Sequence, residues 1–475
     1  MKTDLTTHQY GMNMNGAIRY FADKEAREAI DALAAASGVT YFGRVWNLSN
    51  STPVADHYVG NLAFGQELPQ WLGLGCYIVK NDHSRKKLNS ANHYKYEDGS
   101  PAKLDGTDGH YQFGWGKKWY LVIKQTANEL AIIVAKGKIP GEYTYTIPIA
   151  SDSAAGWAAM ERSTGKLVSY INQGADYRGG NNDSTRDAAY NTLLGKPASN
   201  MTTQAFLAAA RLNGDGFLGS SMRFVAAEAF LFYVIFGTLK IDTAWNPNRD
   251  ANGLYQGGLG VGPTNAGGWW NTNFGYQPVI PLSAGIEMGD NPGVFTYDVL
   301  DANGDVLQTM NCYSFFGHKN ALGGIMWRMM TDELIKCNSD GSQTHLIAEK
   351  ILKVSNDWTY SISDSQVGFI EGATGPAANA GGWGYITRVQ AKQLELFPLE
   401  VGGDGDTRFA DGYYNPADTS GFRLVLRSGV LHYGGVCGPS IVYGYVGVGY
   451  AGVDVGSSLC EVSEEWSVEP EYVEV

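Results

Sequence analysis

The residues of this 475-residue chain that could do chemistry are five cysteines, eight histidines and a few clustered aspartates, and their spacing points most of them elsewhere. Cys76, Cys312, Cys337, Cys437 and Cys460 are spread without a CxxC pair, the spacing that delivers thiolates to zinc. An odd number of cysteines on so long a chain does not form a disulfide framework, although Cys437 and Cys460 could approach each other within the C-terminal region. Asp301-Ala302-Asn303-Gly304-Asp305 alternates oxygen donors as a calcium loop does. Val306 stands where that loop needs glycine and no glutamate closes it, so the segment predicts a hairpin turning at Asn303-Gly304. Asp404, Asp406 and Asp411 could gather round a cation, but the expectation is acids in exposed turns. No Gly-x-Ser-x-Gly, His-Glu-x-x-His or P-loop pattern occurs. The sequence therefore predicts no catalytic residue, no metal site and no cofactor.

What remains is contact chemistry, concentrated between Ser428 and Cys460. Val, Tyr and Gly dominate that stretch, and from Val430 to Cys460 there is no Lys, Glu, Gln, Met or Trp. So much glycine excludes a regular helix, and the Val/Tyr alternation is too loose for one amphipathic strand. It predicts looped chain that presents tyrosines beside small residues, the composition of binding loops. His432 in this stretch is expected to make a contact rather than act as a base.

Regular elements must hold such loops. An Ala-rich helix is predicted from Phe21 to a stop at Gly38, with Ile30, Leu33 and Ala34 on one face. Short apolar runs from Tyr41 to Val79 predict strands and turns, and the polar segment from Asn81 to Gly109 predicts a linker or loop. Within it, Arg85-Lys86-Lys87 reads as a solvated turn. Trp119–Lys124 and Leu130–Val134 predict paired strands turning near Thr126-Ala127-Asn128. Helices are expected over Thr203–Arg211 and Met222–Phe236, the second capped by Ser221, ended by Gly237 and buried all round. A strand over Gly421–Arg427 completes the scaffold, and the Trp327 ring is expected to bury against the sheet. The tail after Cys460 is acidic.

Composition excludes several classes. Glycine, at 61 residues, is about twice its usual share of roughly 7%, and only 17% of residues are charged. The net charge of −13 argues against a nucleic-acid surface. The most apolar run, Phe224 to Phe236, is too short to span a bilayer and contains Glu228. The first residues lack an apolar core, so no secretory signal is expected.

The C-terminal frame consists of Arg427-Ser428-Gly429, Gly434-Gly435, Cys437-Gly438-Pro439 and Val455-Gly456-Ser457, closing on Leu459-Cys460. It resembles the variable region of target proteins of diversity-generating retroelements. Phe316-Gly317-His318-Lys319-Asn320-Ala321-Leu322-Gly323-Gly324-Ile325-Met326-Trp327 is similar to a segment of the formylglycine-generating-enzyme type of C-type-lectin-like fold, with Gly324 where that segment has Asn. Asn379–Ile386 is similar to the same fold's lead-in to its last strands.

The resemblance implies an α+β protein: a C-type-lectin-like domain over residues 91–475, with a mixed, mostly antiparallel sheet and two helices. Residues 1–90 would form a smaller N-terminal α/β region for oligomerisation or attachment. It implies ligand-binding, variable positions at His432, Tyr433, Val436, Ile441, Tyr443, Tyr445, Val446, Tyr450, Gly452 and Asp454. Adenine-directed mutagenesis of Asn codons cannot yield Lys, Glu, Gln, Met or Trp, and those five types are absent from Val430–Cys460. The implied role is receptor binding at a phage tail, in the virion. The implied partners are a host cell-surface protein or glycan, other virion proteins and a homotrimer, with no nucleic acid and no membrane insertion. The alternative is a structural virion or surface protein of fixed specificity. An enzyme of the formylglycine-generating type, which uses a cysteine pair, is a minor alternative resting on Cys437 and Cys460.

Overall fold

The computed structural model describes residue 32 and residues 35–263, 267–352, 368–390 and 394–474. The start of the expected helix at Phe21 lies outside them. The described chain is α+β and rich in sheet, with nearly all strand pairs antiparallel.

Two sheets carry the first third of the chain. One has six strands in the order His57–Gly60, Tyr41–Asn47, Glu129–Ala135, Trp119–Gln125, Tyr143–Ile147 and Glu471–Tyr472. Its central pair is the hairpin expected from the apolar runs, turning between Gln125 and Glu129. The other has seven strands in the order Phe217–Leu218, Cys460–Val462, Ala150–Ser153, His110–Gly114, Gly75–Val79, Arg85–Asn89 and Asn92–Tyr96. Strands from before and after residue 90 share both sheets, so the expected boundary there falls inside a sheet.

The expected linker from Asn81 to Gly109 is a correction: it holds two strands of the second sheet. Arg85-Lys86-Lys87 is strand, not solvated turn. Leu88 faces the core, while Arg85 reaches Glu461 at 2.6 Å and Lys86 reaches Asp98 at 2.8 Å. Long basic side chains lay their stems on the sheet and carry their charge to its edge.

Helices α1 (Leu62–Leu72), α2 (Thr203–Arg211) and α3 (Met222–Phe236) pack on sheet strands, and α4 (Gly267–Phe274) sets its Trp270 ring 5.4 Å from His432. Every residue of α3 is buried, as its apolar sequence requires. Phe224 stacks on Trp115 at 4.9 Å, Phe232 meets Phe315 at 6.1 Å and Tyr233 meets Phe409 at 5.8 Å. The helix thus joins the second sheet to the later strands. Gly237 ends it in the left-handed region at φ 66°, as expected. Ser221 does not cap it through its own side chain. The Asp332 carboxylate accepts from the Met222 amide at 2.7 Å and from Ser221 Oγ at 2.7 Å, and lies 3.3 Å from Arg223.

Asp301–Asp305 is a hairpin turn between Gly293–Leu300 and Val306–Phe315. The last sheet runs Phe369–Gly375, Gln343–Ala348, Trp327–Cys337, Phe422–Arg427, Val442–Tyr443, Gly412–Asn415, Gly382–Gln390, Phe397–Val401. Val455–Gly456 adds in parallel beside Trp327-Arg328. This sheet positions the C-terminal loops.

Candidate functional site

The chain leaves the strand Phe422–Arg427 through two left-handed residues, Ser428 at φ 70° and Gly429 at φ 80°. Ser428 Oγ donates to the Ala321 carbonyl at 2.7 Å, and its own carbonyl accepts from Gly324 at 2.8 Å. The loop is then fastened from beneath by Asp411, whose carboxylate accepts from the Ser440 amide at 2.8 Å and from Ser440 Oγ at 2.6 Å. Val442-Tyr443 pairs in parallel with Tyr413-Tyr414. The Leu424 amide donates to the Val446 carbonyl at 3.0 Å. Further on, Asn200 donates to the Gly452 carbonyl at 2.8 Å and Trp327 to the Asp454 carbonyl at 3.1 Å. Residues 428–456 are therefore loops tied to strands at short intervals.

Over this frame lies a continuous series of ring contacts. Tyr276 stacks on His432 at 4.8 Å, and His432 touches Tyr433 at 5.8 Å. Tyr433 meets Trp383 at 4.8 Å and Trp327 at 5.7 Å. Tyr443 stacks on Trp327 at 4.9 Å and on Trp383 at 5.7 Å. Tyr414 bridges Tyr443 at 5.2 Å and Tyr445 at 5.7 Å. Rings at such separations lie within the range of favourable aromatic pairing. The base of the series is buried at Trp327; Tyr433 and Tyr443 are partly buried, and Tyr445 is 54% exposed. Gly412 lets the Trp383 indole lie against its strand, since a Cβ there would sit 2.6 Å from the ring.

The expected binding positions fall into two groups. His432, Tyr433, Val436, Tyr443, Tyr445, Tyr450 and Asp454 are partly or well exposed. Ile441 at 0% and Val446 at 7% are core residues, and Gly452 is buried. Sequence reasoning missed Trp383, Tyr414, Tyr276 and Trp270 as neighbours of the surface; each arrives from another element and none has a local signal.

The surface is close to uncharged. Burial lowers the His432 pKa, against a smaller opposing effect of Asp454, so its ring is a neutral contact. Burial raises Asp454, and it pushes the Tyr450 phenol up to about 12. A cleft of about 360 Å³ opens beside Tyr433, lined by Asp242, Val261, Pro263, Tyr313 and Cys437.

Two other sequence expectations resolve here. Asp404 and Asp406 are exposed, but Asp411 is fully buried, and burial raises its pKa to about 7; the three do not gather. Cys437 and Cys460 are both free and buried, so no disulfide joins them. No helix among the described residues is long and apolar enough to cross a membrane. A scan against protein-family models and a search of curated proteins each found no match to this chain.

Proposed function

We propose that this chain is a ligand-binding protein whose binding surface is the ring series over residues 432–454. The observation that carries the reading is the division between packed and open glycines in that segment. A Cβ on Gly429 would meet Cys437 Sγ at 2.3 Å, one on Gly438 would meet Asp411 Oδ1 at 2.0 Å, and one on Gly456 would meet Met326 Cε at 2.5 Å. At Gly435, Gly447 and Gly449 a Cβ would meet nothing within 4 Å. At Gly452, which is buried, its nearest neighbours would be Asp454 Oδ1 and the Tyr450 hydroxyl, each at 2.6 Å. Packed glycines thus alternate in this segment with glycines at which a Cβ has open space, Gly435 of the expected frame among the latter. On this reading the chain is a C-type-lectin-like domain diversified by a retroelement and used as a phage receptor-binding protein toward a host-surface protein or glycan. Partly exposed tyrosines on a rigid base are what a paratope uses as anchors.

The alternative of a structural protein with fixed specificity draws on a different observation: Ile441 and Val446 are packed inside. Binding of the purified chain to candidate host cells separates the two. The proposal expects saturable binding that weakens together in Tyr433→Ala, Tyr443→Ala and Tyr445→Ala while folding is kept. Unchanged binding in all three variants would remove the surface from consideration.

A further inference from the structure

Away from this surface, Cys76, His93 and Asp290 each bring a metal-ligating atom within 4.8 Å of the other two. Cys76 lies on the strand Gly75–Val79, His93 on Asn92–Tyr96, and Asp290 just after the turn Ile286–Met288. All three are buried. We propose that they form a structural site for a divalent transition metal, zinc by its donor set, which fastens the 286–290 turn to the seven-stranded sheet.

The arrangement supplies three of the four donors that a tetrahedral site takes. A thiolate, an imidazole and a carboxylate are the donors zinc takes. Donors round a tetrahedral zinc stand about 3.5 Å apart, so the widest separation needs to close by about 1 Å and the His93–Asp290 pair, at 2.9 Å, to open by about half an ångström. His93 Nε2 faces Asp290 Oδ1 at 2.9 Å, and its Nδ1 is held by the Tyr111 hydroxyl at 2.6 Å. That second contact fixes the ring and leaves Nε2 for the ion, the usual outer-shell arrangement. Asp290 Oδ1 also accepts from the Cys76 amide at 3.0 Å, whereas its Oδ2 is buried with no hydrogen-bond partner. A buried carboxylate oxygen without a partner is expensive, and a cation satisfies it. The backbone is shaped to the donors: a Cβ on Gly317 would lie 2.7 Å from Cys76 Sγ and 2.8 Å from Asp290 Oδ1, and one on Gly75 would lie 2.3 Å from Asp290 Oδ2.

On binding, the Cys76 thiol releases its proton to solvent, and His93 keeps its single ring proton on Nδ1 against the Tyr111 oxygen. Thiolate and carboxylate then balance the dication. The competing arrangement is a metal-free polar cluster whose cation is Lys319, buried nearby and donating to the carbonyls of Gly317 at 2.7 Å and Gly289 at 3.3 Å.

The test uses the full chain, purified without added metal, assayed for bound metal, stripped with chelator and titrated with Co²⁺ alone. The site predicts one ion per chain and a thiolate-to-cobalt charge-transfer band. Zn²⁺ should displace that band, and Cys76→Ser and His93→Gln should abolish it. Cys312→Ser, altering a buried cysteine elsewhere, should keep it. Folded wild-type chain that binds no Co²⁺ or Zn²⁺ would overturn the site, as would a band that survives in Cys76→Ser. Both negative results are readable on the wild-type fold or on a variant that still binds, so a misfolded variant cannot hide them.

Discussion

Replacing Gly438 with Ala should unfold the frame of the binding loop far more than replacing Gly447. Gly438 has an ordinary backbone φ, so the whole effect is steric. The new Cβ would stand 2.0 Å from Asp411 Oδ1 and 2.4 Å from its Cγ. Asp411 is fully buried and cannot swing into solvent. Its displacement breaks the bonds from the Ser440 amide and hydroxyl. Overpacking costs about 1–3 kcal/mol, and the two lost hydrogen bonds about 1 kcal/mol each. The expected loss is therefore about 3–5 kcal/mol. At Gly447 nothing lies within 4 Å, and the change should stay within about 1 kcal/mol. Urea unfolding followed by tryptophan fluorescence measures both variants against the parent. Equal midpoints for the two variants would refute the distinction between frame and open positions.

Three further outcomes follow from the same geometry. Tyr445→Ala, at the exposed end of the ring series, should weaken binding by about 2 kcal/mol, measured by titration against host cells, with the urea midpoint unchanged. Asp411 should make stability fall with rising pH. Burial raises its folded-state value to about 7 from 3.8, so its contribution is fullest below about pH 4 and declines by up to about 4 kcal/mol as pH rises to about 7. Asp411→Asn should flatten that part of the stability–pH curve. Asp332→Ala should cost about 3–5 kcal/mol, because Arg223 is left buried without its carboxylate and α3 loses its cap, whereas Ser221→Ala should cost about 1 kcal/mol; thermal or urea unfolding compares them.

Local signals carried much of the scaffold. The uniform apolarity of Met222–Phe236 announced a helix buried all round, Gly237 its end, and Asn303-Gly304 a hairpin turn. Long-range partners carried the rest and left no mark on spacing. Arg85 is strand because it pairs with Val79, and Glu461, 376 residues away, receives its charge. Asp411 looked like its exposed neighbours Asp404 and Asp406, yet the turn at Ser440 draws it inside. Ile441 and Val446 share the composition of the binding stretch, but both are packed inside. The ring series was half legible: its tyrosines at 433, 443 and 445 stand in one segment, while Trp383, Tyr414 and Tyr276 come from three others. His93 and Asp290 lie 197 residues apart, beyond any metal-ligand motif.

The central claim, that a packed frame holds positions free to vary, is tested most directly by sequencing the coding end of this locus across a population. The account predicts a downstream near-copy of the segment for Ser428–Cys460, with adenines at the divergent positions and a reverse transcriptase gene nearby. Substitutions should concentrate at the codons for residues 432–454 that are exposed, and spare Gly429, Gly438 and Gly456. An invariant segment with no template copy would contradict it and favour a protein of fixed specificity.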